Sequence, residues 1–428
     1  MTGTPYPDPH QQPPVQPQPP VQPPAGAAAG RVPPPSGAPW HPGAVHGTTG
    51  TLPPPVTGLA PRRTGRVRIG VAALLAGALI GGGTGAGVVA LTDDRGASAA
   101  TPTAQGVVIT DPESATAVTA AAAKAAPSVV TVYVSSGSGS GSGSGVVLTE
   151  DGYVLTNDHV VSLDGATRDA TVQVRTSDGT LHDATVVGTD PTSDLAVLRL
   201  DDASGLTPAT FADSDDVQVG DLAVAIGAPL GLSDTVTDGI ISATDRAVAT
   251  GSTQDDATVI DALQTDAAIN PGNSGGALVD AAGEVVGINT AIASVASGAP
   301  GQASQSGSIG VGFAIPGNVA QRIAQEIIDT GTATHAVLGV SAQTAADDGN
   351  AEIGTGAQVV GVQPGGAAAQ AGLEAGDVVT AVGDRPVTTS TELTAAVRSA
   401  APGDEVTLTV RRGGQTETVE VTLGSSAG

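Results

Sequence analysis

The stretch Thr265-Asp266-Ala267-Ala268-Ile269-Asn270-Pro271-Gly272-Asn273-Ser274-Gly275-Gly276-Ala277-Leu278 sets one serine among three glycines, directly ahead of an apolar, strand-like run. Glycine on both sides lets the backbone turn sharply and approach another chain closely. The amides of Gly272 and Ser274 can then point at an oxygen that becomes negative in a tetrahedral intermediate. A glycine turn with no chemistry has the same local pattern, so this motif does not decide the matter alone.

Two further segments supply partners. Gly152-Tyr153-Val154-Leu155-Thr156-Asn157-Asp158-His159-Val160-Val161 ends an apolar run in a histidine, and Asp190-Pro191-Thr192-Ser193-Asp194-Leu195-Ala196-Val197-Leu198 puts a carboxylate at the head of a strand-like run. The order His, Asp, Ser is that of chymotrypsin and differs from the orders of subtilisins and α/β-hydrolases. Here the chain resembles the trypsin-like serine proteases of the HtrA (Deg) type. The resemblance runs from about residue 127 to near the C-terminus. It includes Ala225-Ile226-Gly227-Ala228-Pro229-Leu230-Gly231-Leu232, Thr237-Asp238-Gly239-Ile240-Ile241-Ser242 and Gly310-Val311-Gly312-Phe313-Ala314-Ile315-Pro316.

The resemblance implies that His159 is the general base, Asp194 its orienting carboxylate and Ser274 the nucleophile. The amides of Gly272, Asn273 and Ser274 would form the oxyanion hole, and Ile269 and Ile292 would wall the S1 pocket. Two aliphatic walls suggest cleavage after small or medium apolar residues. The family is often trimeric through N-terminal aromatic packing, so a homotrimer is possible, although the exported part holds only Tyr133, Tyr153, Phe211 and Phe313.

Competing residues are few. Beyond residue 91 the histidines are His159, His182 and His335, and the last two sit in polar, loop-like sequence without a partner motif. Asp158 adjoins His159 and is badly placed to receive its ring N–H, while Asp190 before Pro191 reads as a turn residue. Asp194 is the better orienter.

The chain has 428 residues and no cysteine, which excludes disulfides, a thiol nucleophile and thiolate metal sites. No metal-ligating spacing occurs, so the expectation is catalysis without cofactor or metal. Residues 1–66 hold most of the prolines and read as a disordered cytoplasmic tail with polyproline II character. Residues 67–91 include an uncharged stretch from Ile69 to Leu91, long enough to cross a bilayer as a helix. Arg62, Arg63, Arg66 and Arg68 precede it, which places the N-terminus in the cytoplasm and the remainder outside. A cleaved signal peptide is the rival reading, but so long a preceding tail favours an uncleaved membrane anchor. After Arg95 there remain 10 basic and 39 acidic residues, which argues against nucleic acid or anionic lipid as a ligand of that part.

Residues 92–126 read as a linker with a short alanine-rich helix. From Ser128 onward, short β-branched runs separated by glycine or aspartate turns signal barrels or sandwiches. The alternating Gly-Ser run at 135–145 reads as flexible over most of its length. Apolar positions Val319, Ile323, Ile327 and Ile328 predict a helix closing the domain.

The expected fold is therefore mainly β: a chymotrypsin-like double β-barrel protease domain over 127–330, then an α+β PDZ domain over 337–425. The latter rests on a resemblance, in which Leu338-Gly339-Val340 would receive a peptide carboxylate and Leu393 and Val397 would line the groove. The functional expectation is a membrane-anchored serine endopeptidase cleaving unfolded or damaged proteins outside the cytoplasmic membrane. Its partners would be unfolded polypeptides and C-terminal peptide ligands. The alternative is a PDZ-bearing chaperone or scaffold with a resting protease domain.

Overall fold

The computed structural model describes residues 115–428 except 138, 164–169, 229–234, 251–257, 291–307, 309, 347–353 and 428. The tail and the membrane segment expected over 1–91 lie outside the described residues. No described helix is long and apolar enough to cross a membrane.

Six strands close the first barrel: β1 (Val129–Ser136), β2 (Gly139–Val147), β3 (Tyr153–Thr156), β4 (Thr171–Arg175), β5 (Leu181–Asp190) and β6 (Leu195–Leu200). Six more close the second: β7 (Leu222–Gly227), β8 (Thr235–Thr250), β9 (Thr258–Thr265), β10 (Ala277–Val279), β11 (Val285–Thr290) and β12 (Gly312–Pro316).

Strands β6 and β7 are apolar on both faces, Arg199 of β6 excepted, and period-two alternation explains why. On β6, Ala196, Leu198 and Leu200 fill the first barrel, while Leu195 and Val197 turn to a seam cluster. On β7, Ala223 and Ala225 fill the second barrel, while Val224 and Ile226 join the same seam. Leu155, Leu195 and Ile226 of this seam are fully buried. Truncating one to alanine should cost roughly 2–5 kcal/mol.

Helices α1 (Ala117–Ala125) and α3 (Gly317–Thr330) cover the seam. Ala121, Ala122 and Ala125 of α1 are buried in it, so the packed chain begins within the stretch read as a linker. On α3, Ile323 and Ile327 are fully buried and Val319 and Ile328 pack beside them, the stripe that the spacing predicts.

The Gly-Ser run corrects the expectation of a flexible segment. Ser135 and Ser136 end β1, Gly137 lies in the turn, and residues 139–145 belong to β2, paired with β1 from Ser136↔Gly139 to Val129↔Val146. The repeat of two that resembles a linker is also a strand period, and β1 offers it a valine-rich partner. A Cβ at Gly143 would lie 2.7 Å from both γ-carbons of Val160. The bare face thus lets the short helix α2 (Asp158–Ser162), which carries His159, pack closely.

The C-terminal module pairs β13 (Thr334–Val337) with β20 (Gly424–Ala427). Its larger sheet contains β14 (Val340–Ala345), β15 (Gly356–Val362), β16 (Val378–Val382), β17 (Arg385–Pro386), β18 (Glu405–Arg412) and β19 (Gln415–Thr422). Helices α4 (Ala367–Gln370) and α5 (Ser390–Ser399) pack on it. Thr389 caps α5 in a reciprocal box with Glu392, which satisfies end amides that would otherwise lack partners.

Candidate functional site

His159 and Asp194 meet across the first barrel. Asp194 ends the tight turn between β5 and β6 in left-handed backbone (φ 55°), a conformation that aspartate tolerates better than most residues. Its carboxylate lies 2.9 Å (Oδ1) and 3.0 Å (Oδ2) from His159 Nδ1. The His159 amide donates to Oδ1 at 3.1 Å, and Asn157 Nδ2 donates to the Asp194 carbonyl at 2.8 Å. Thr290 Oγ1, from β11 of the other barrel, donates to Oδ2 at 3.0 Å. Asp158 precedes His159 on α2. Burial, and then the charge of Asp194, push its carboxyl above the ordinary range.

The serine loop is gripped by both barrels. Ser144 of β2 donates its amide to the Ser274 carbonyl (2.8 Å) and its hydroxyl to the Gly272 carbonyl (2.7 Å), and that hydroxyl accepts from the Ala228 amide (2.8 Å). Asn289 of β11 accepts from the Gly275 amide and donates its own amide to Gly276 O, each at 2.9 Å. Since Thr290 follows Asn289, one strand holds both the serine loop and the carboxylate behind the histidine. Gly275 has φ 83°, and a Cβ there would collide with Ser144 O and Thr156 Oγ1, so no other residue fits. Ser274 itself is 3% exposed, and the His159 side chain 21%.

One sequence expectation narrows. The Asn273 amide donates to Asn270 O at 2.9 Å, closing the turn over Pro271 and Gly272. Of the three amides expected to bind an oxyanion, that of Asn273 is thus engaged within the loop. Ile269 is buried among Ala223, Leu263, Val286 and Ala314 of the second barrel, and Ile292 lies outside the described residues. Among the described residues, no group of acidic and histidine side chains could hold a metal ion.

Sequence reasoning missed Thr290, Asn289, the clamp by Ser144, and a second His–Asp contact. His335, set aside as a loop residue, donates or accepts at Nε2 with Asp190 Oδ1 at 2.9 Å, and both side chains are buried. Nothing local announces these pairs.

In the C-terminal module Leu338, Gly339, Val340, Leu393 and Val397 line one cavity of about 640 Å³ between β14 and α5. Leu338, Leu393 and Val397 also belong to the module's core. The carbonyls of Leu338 and Gly339 accept from Ala368 and Gln363, each at 2.8 Å, so the turn's oxygens are held by the domain.

Comparison with known proteins agrees with this geometry. Residues 143–288 match the trypsin-like peptidase domain family, and residues 336–423 the PDZ domain family. Serine protease PepD of Mycobacterium tuberculosis is 50% identical over 287 residues, covering 66% of this chain and 60% of PepD. The periplasmic pH-dependent serine endoprotease DegQ of Escherichia coli is 41% identical over 285 residues, covering 66% of this chain and 58% of DegQ. The chain thus spans about three fifths of the length of these curated relatives. Among solved structures, the HtrA-type protease AlgW with a decapeptide aligns at TM-score 0.52 and 35% identity, over 72% of this chain and 98% of AlgW. Two closed barrels that share a serine loop, followed by a PDZ module and matched to almost all of an HtrA-type structure, place the chain in the HtrA family of trypsin-like serine proteases with a C-terminal PDZ domain.

Proposed function

We propose that the protein is a serine endopeptidase in which Ser274 attacks the peptide carbonyl. His159 takes the serine proton and returns it to the leaving amine. Asp194 holds the imidazole through Nδ1 and stabilises the imidazolium, and the Gly272 and Ser274 amides bind the oxyanion. The observation that carries this reading is the doubly held Asp194, hydrogen-bonded to both His159 and Thr290. A carboxylate fixed on both oxygens presents one tautomer and one orientation of the imidazole. A bound chain must be extended to lie in such a cleft, so unfolded or damaged polypeptides are the proposed substrates. Ile269 and Ile292 remain the proposed S1 walls.

The same proposal places the active portion outside the cytoplasmic membrane, anchored by residues 67–91, with a peptide C-terminus as ligand of the PDZ groove and a homotrimer as the assembly. The uncharged segment behind an arginine cluster supports the anchor, and DegQ, a similar protein, is described as periplasmic. A fluorophosphonate probe tests the chemistry. Intact-mass and peptide mapping should find one adduct on Ser274 of the parent and none on Ser274→Ala, with casein cleavage lost in the variant. Labelling at another serine, or full cleavage by Ser274→Ala, would remove the assignment.

A further inference from the structure

Ser144 of β2 stands between the segment that carries the base and the segment that carries the nucleophile. Its carbonyl accepts from Thr156 Oγ1 at 2.7 Å, and Thr156 ends β3, the strand that leads into α2 and His159. Its amide and its hydroxyl both turn to the serine loop, donating to the carbonyls of Ser274 (2.8 Å) and Gly272 (2.7 Å). The residue is 0% exposed, so each of these bonds is made away from water. Any residue at this position would supply the amide and the carbonyl. The hydroxyl alone is chosen by the sequence, and the space is tight: a Cβ at Gly227 would lie 3.0 Å from Ser144 Oγ.

What the hydroxyl grips is the peptide between the two amides proposed to bind the oxyanion. Pro271 and Gly272 are the central residues of a turn closed by the Asn273 amide on Asn270 O, and Gly272 has φ 102°, the positive angle that a type II turn asks of its third residue. Glycine has the widest choice of backbone angles, so Gly272 is the point at which this loop yields most easily. The Ser144 hydroxyl restrains that point from outside the loop. It accepts from the Ala228 amide at 2.8 Å, which leaves its own proton directed at Gly272 O. Loss of the hydroxyl would strand a buried carbonyl and a buried amide together, and the loop would shift to satisfy them.

We propose that Ser144, through its hydroxyl, is a positioning residue for the reaction: it fixes the Gly272–Asn273 peptide of the second barrel against the first, and with it the placing of the Gly272 and Ser274 amides relative to His159. This rests on the chemistry proposed above for Ser274 and His159. A misplacement of about 1 Å can cost roughly 10²-fold in rate. The oxyanion exists only in the transition state and the intermediate, so the effect falls on turnover and spares substrate binding.

The test uses the full chain with Ser144→Ala, which removes the hydroxyl and keeps both backbone bonds. Active sites are counted by fluorophosphonate labelling carried to completion, so that kcat refers to folded, competent molecules. On an unfolded substrate, kcat per labelled site should fall about 10- to 100-fold, with KM moved by less than about threefold. A peptide aldehyde, whose hemiacetal oxygen occupies the oxyanion position, should weaken by the same factor as kcat/KM. None of the Ser144 bonds reaches His159 or Asp194, so the pH midpoint of activity should stay where it is in the parent. Ser144→Cys keeps a weak donor and should lie between the parent and Ser144→Ala. A per-site kcat within about threefold of the parent overturns the proposal. So does a loss confined to the number of labelled sites or to the melting temperature, which is what a purely structural role would give. A shifted pH midpoint, or a cysteine variant no better than the alanine one, overturns it equally. Labelling of the parent at a serine other than Ser274 overturns the proposed reaction itself, whereas a parent labelled at Ser274 beside an unaffected Ser144→Ala removes only the role of Ser144.

Discussion

Two His–Asp contacts of the same 2.9 Å length stand at opposite ends of one turn: Asp194 with His159, and Asp190 with His335. Their surroundings differ. Asp194 has both oxygens engaged, by His159 and Thr290, and its histidine keeps a fifth of its side chain exposed. Asp190 is 0% and His335 4% exposed, and among the described residues Asp190 Oδ2 and His335 Nδ1 have no hydrogen-bond partner. The first pair combines full satisfaction with access. The second is sealed between the protease domain and β13, where an unpaired oxygen and nitrogen carry a real desolvation cost. A short His–Asp distance is thus no signature of catalysis by itself.

The largest expected effect tests the accessible pair. Asp194→Asn should keep the fold but present the wrong imidazole tautomer, lowering kcat by roughly 10⁴. Steady-state kinetics on an unfolded substrate, with circular dichroism as the fold control, reads this. A loss under about tenfold would make the two pairs equivalent and break the contrast.

The sealed pair should answer in stability. His335→Ala leaves the Asp190 charge buried without its partner and should cost about 3–5 kcal/mol in urea unfolding. Replacing both residues by leucine should recover most of that loss. A double variant as unstable as the single one would show that the pair contributes attraction beyond its own burial.

Thr290→Val is the finer probe of what distinguishes the pairs. It strips one Asp194 oxygen of its donor, making Asp194 more like Asp190, and should lower kcat about 10-fold or somewhat more through lost charge-assisted bonding. KM should move little. An unchanged kcat would mean that the carboxylate needs only the histidine.

The smallest effect concerns a third carboxylate. Asp377 receives Arg412 at both oxygens, 2.7 Å and 2.6 Å, and that hydrogen bonding holds its carboxyl below the usual range despite burial. A depressed folded value means that its contribution is complete above the unfolded value near 3.8 and is lost as pH falls through the folded one. Asp377→Asn should therefore flatten part of the acid limb of stability below about pH 4 while leaving the neutral slope unchanged. An identical acid limb in the variant would contradict the pairing.

What the sequence determined by itself were properties carried by neighbouring residues. The Gly272–Gly276 turn, the β-branched runs, the stripe of α3 and the order His159, Asp194, Ser274 each depend on local backbone geometry or on a period of two or 3.6, and these can be read without knowing what they touch. The Gly-Ser run shows where local reading fails: its composition suits a flexible chain, yet the valines of β1 and the closeness of Val160 make it a strand. Contacts across the chain were decided only by tertiary structure. Thr290 reaches Asp194 over 96 positions, and His335 reaches Asp190 over 145. The withdrawal of the Asn273 amide is local but depends on which way one peptide faces. Each of these is a matter of direction or of closure between distant segments. Residue type alone leaves both open, and barrel closure fixes them.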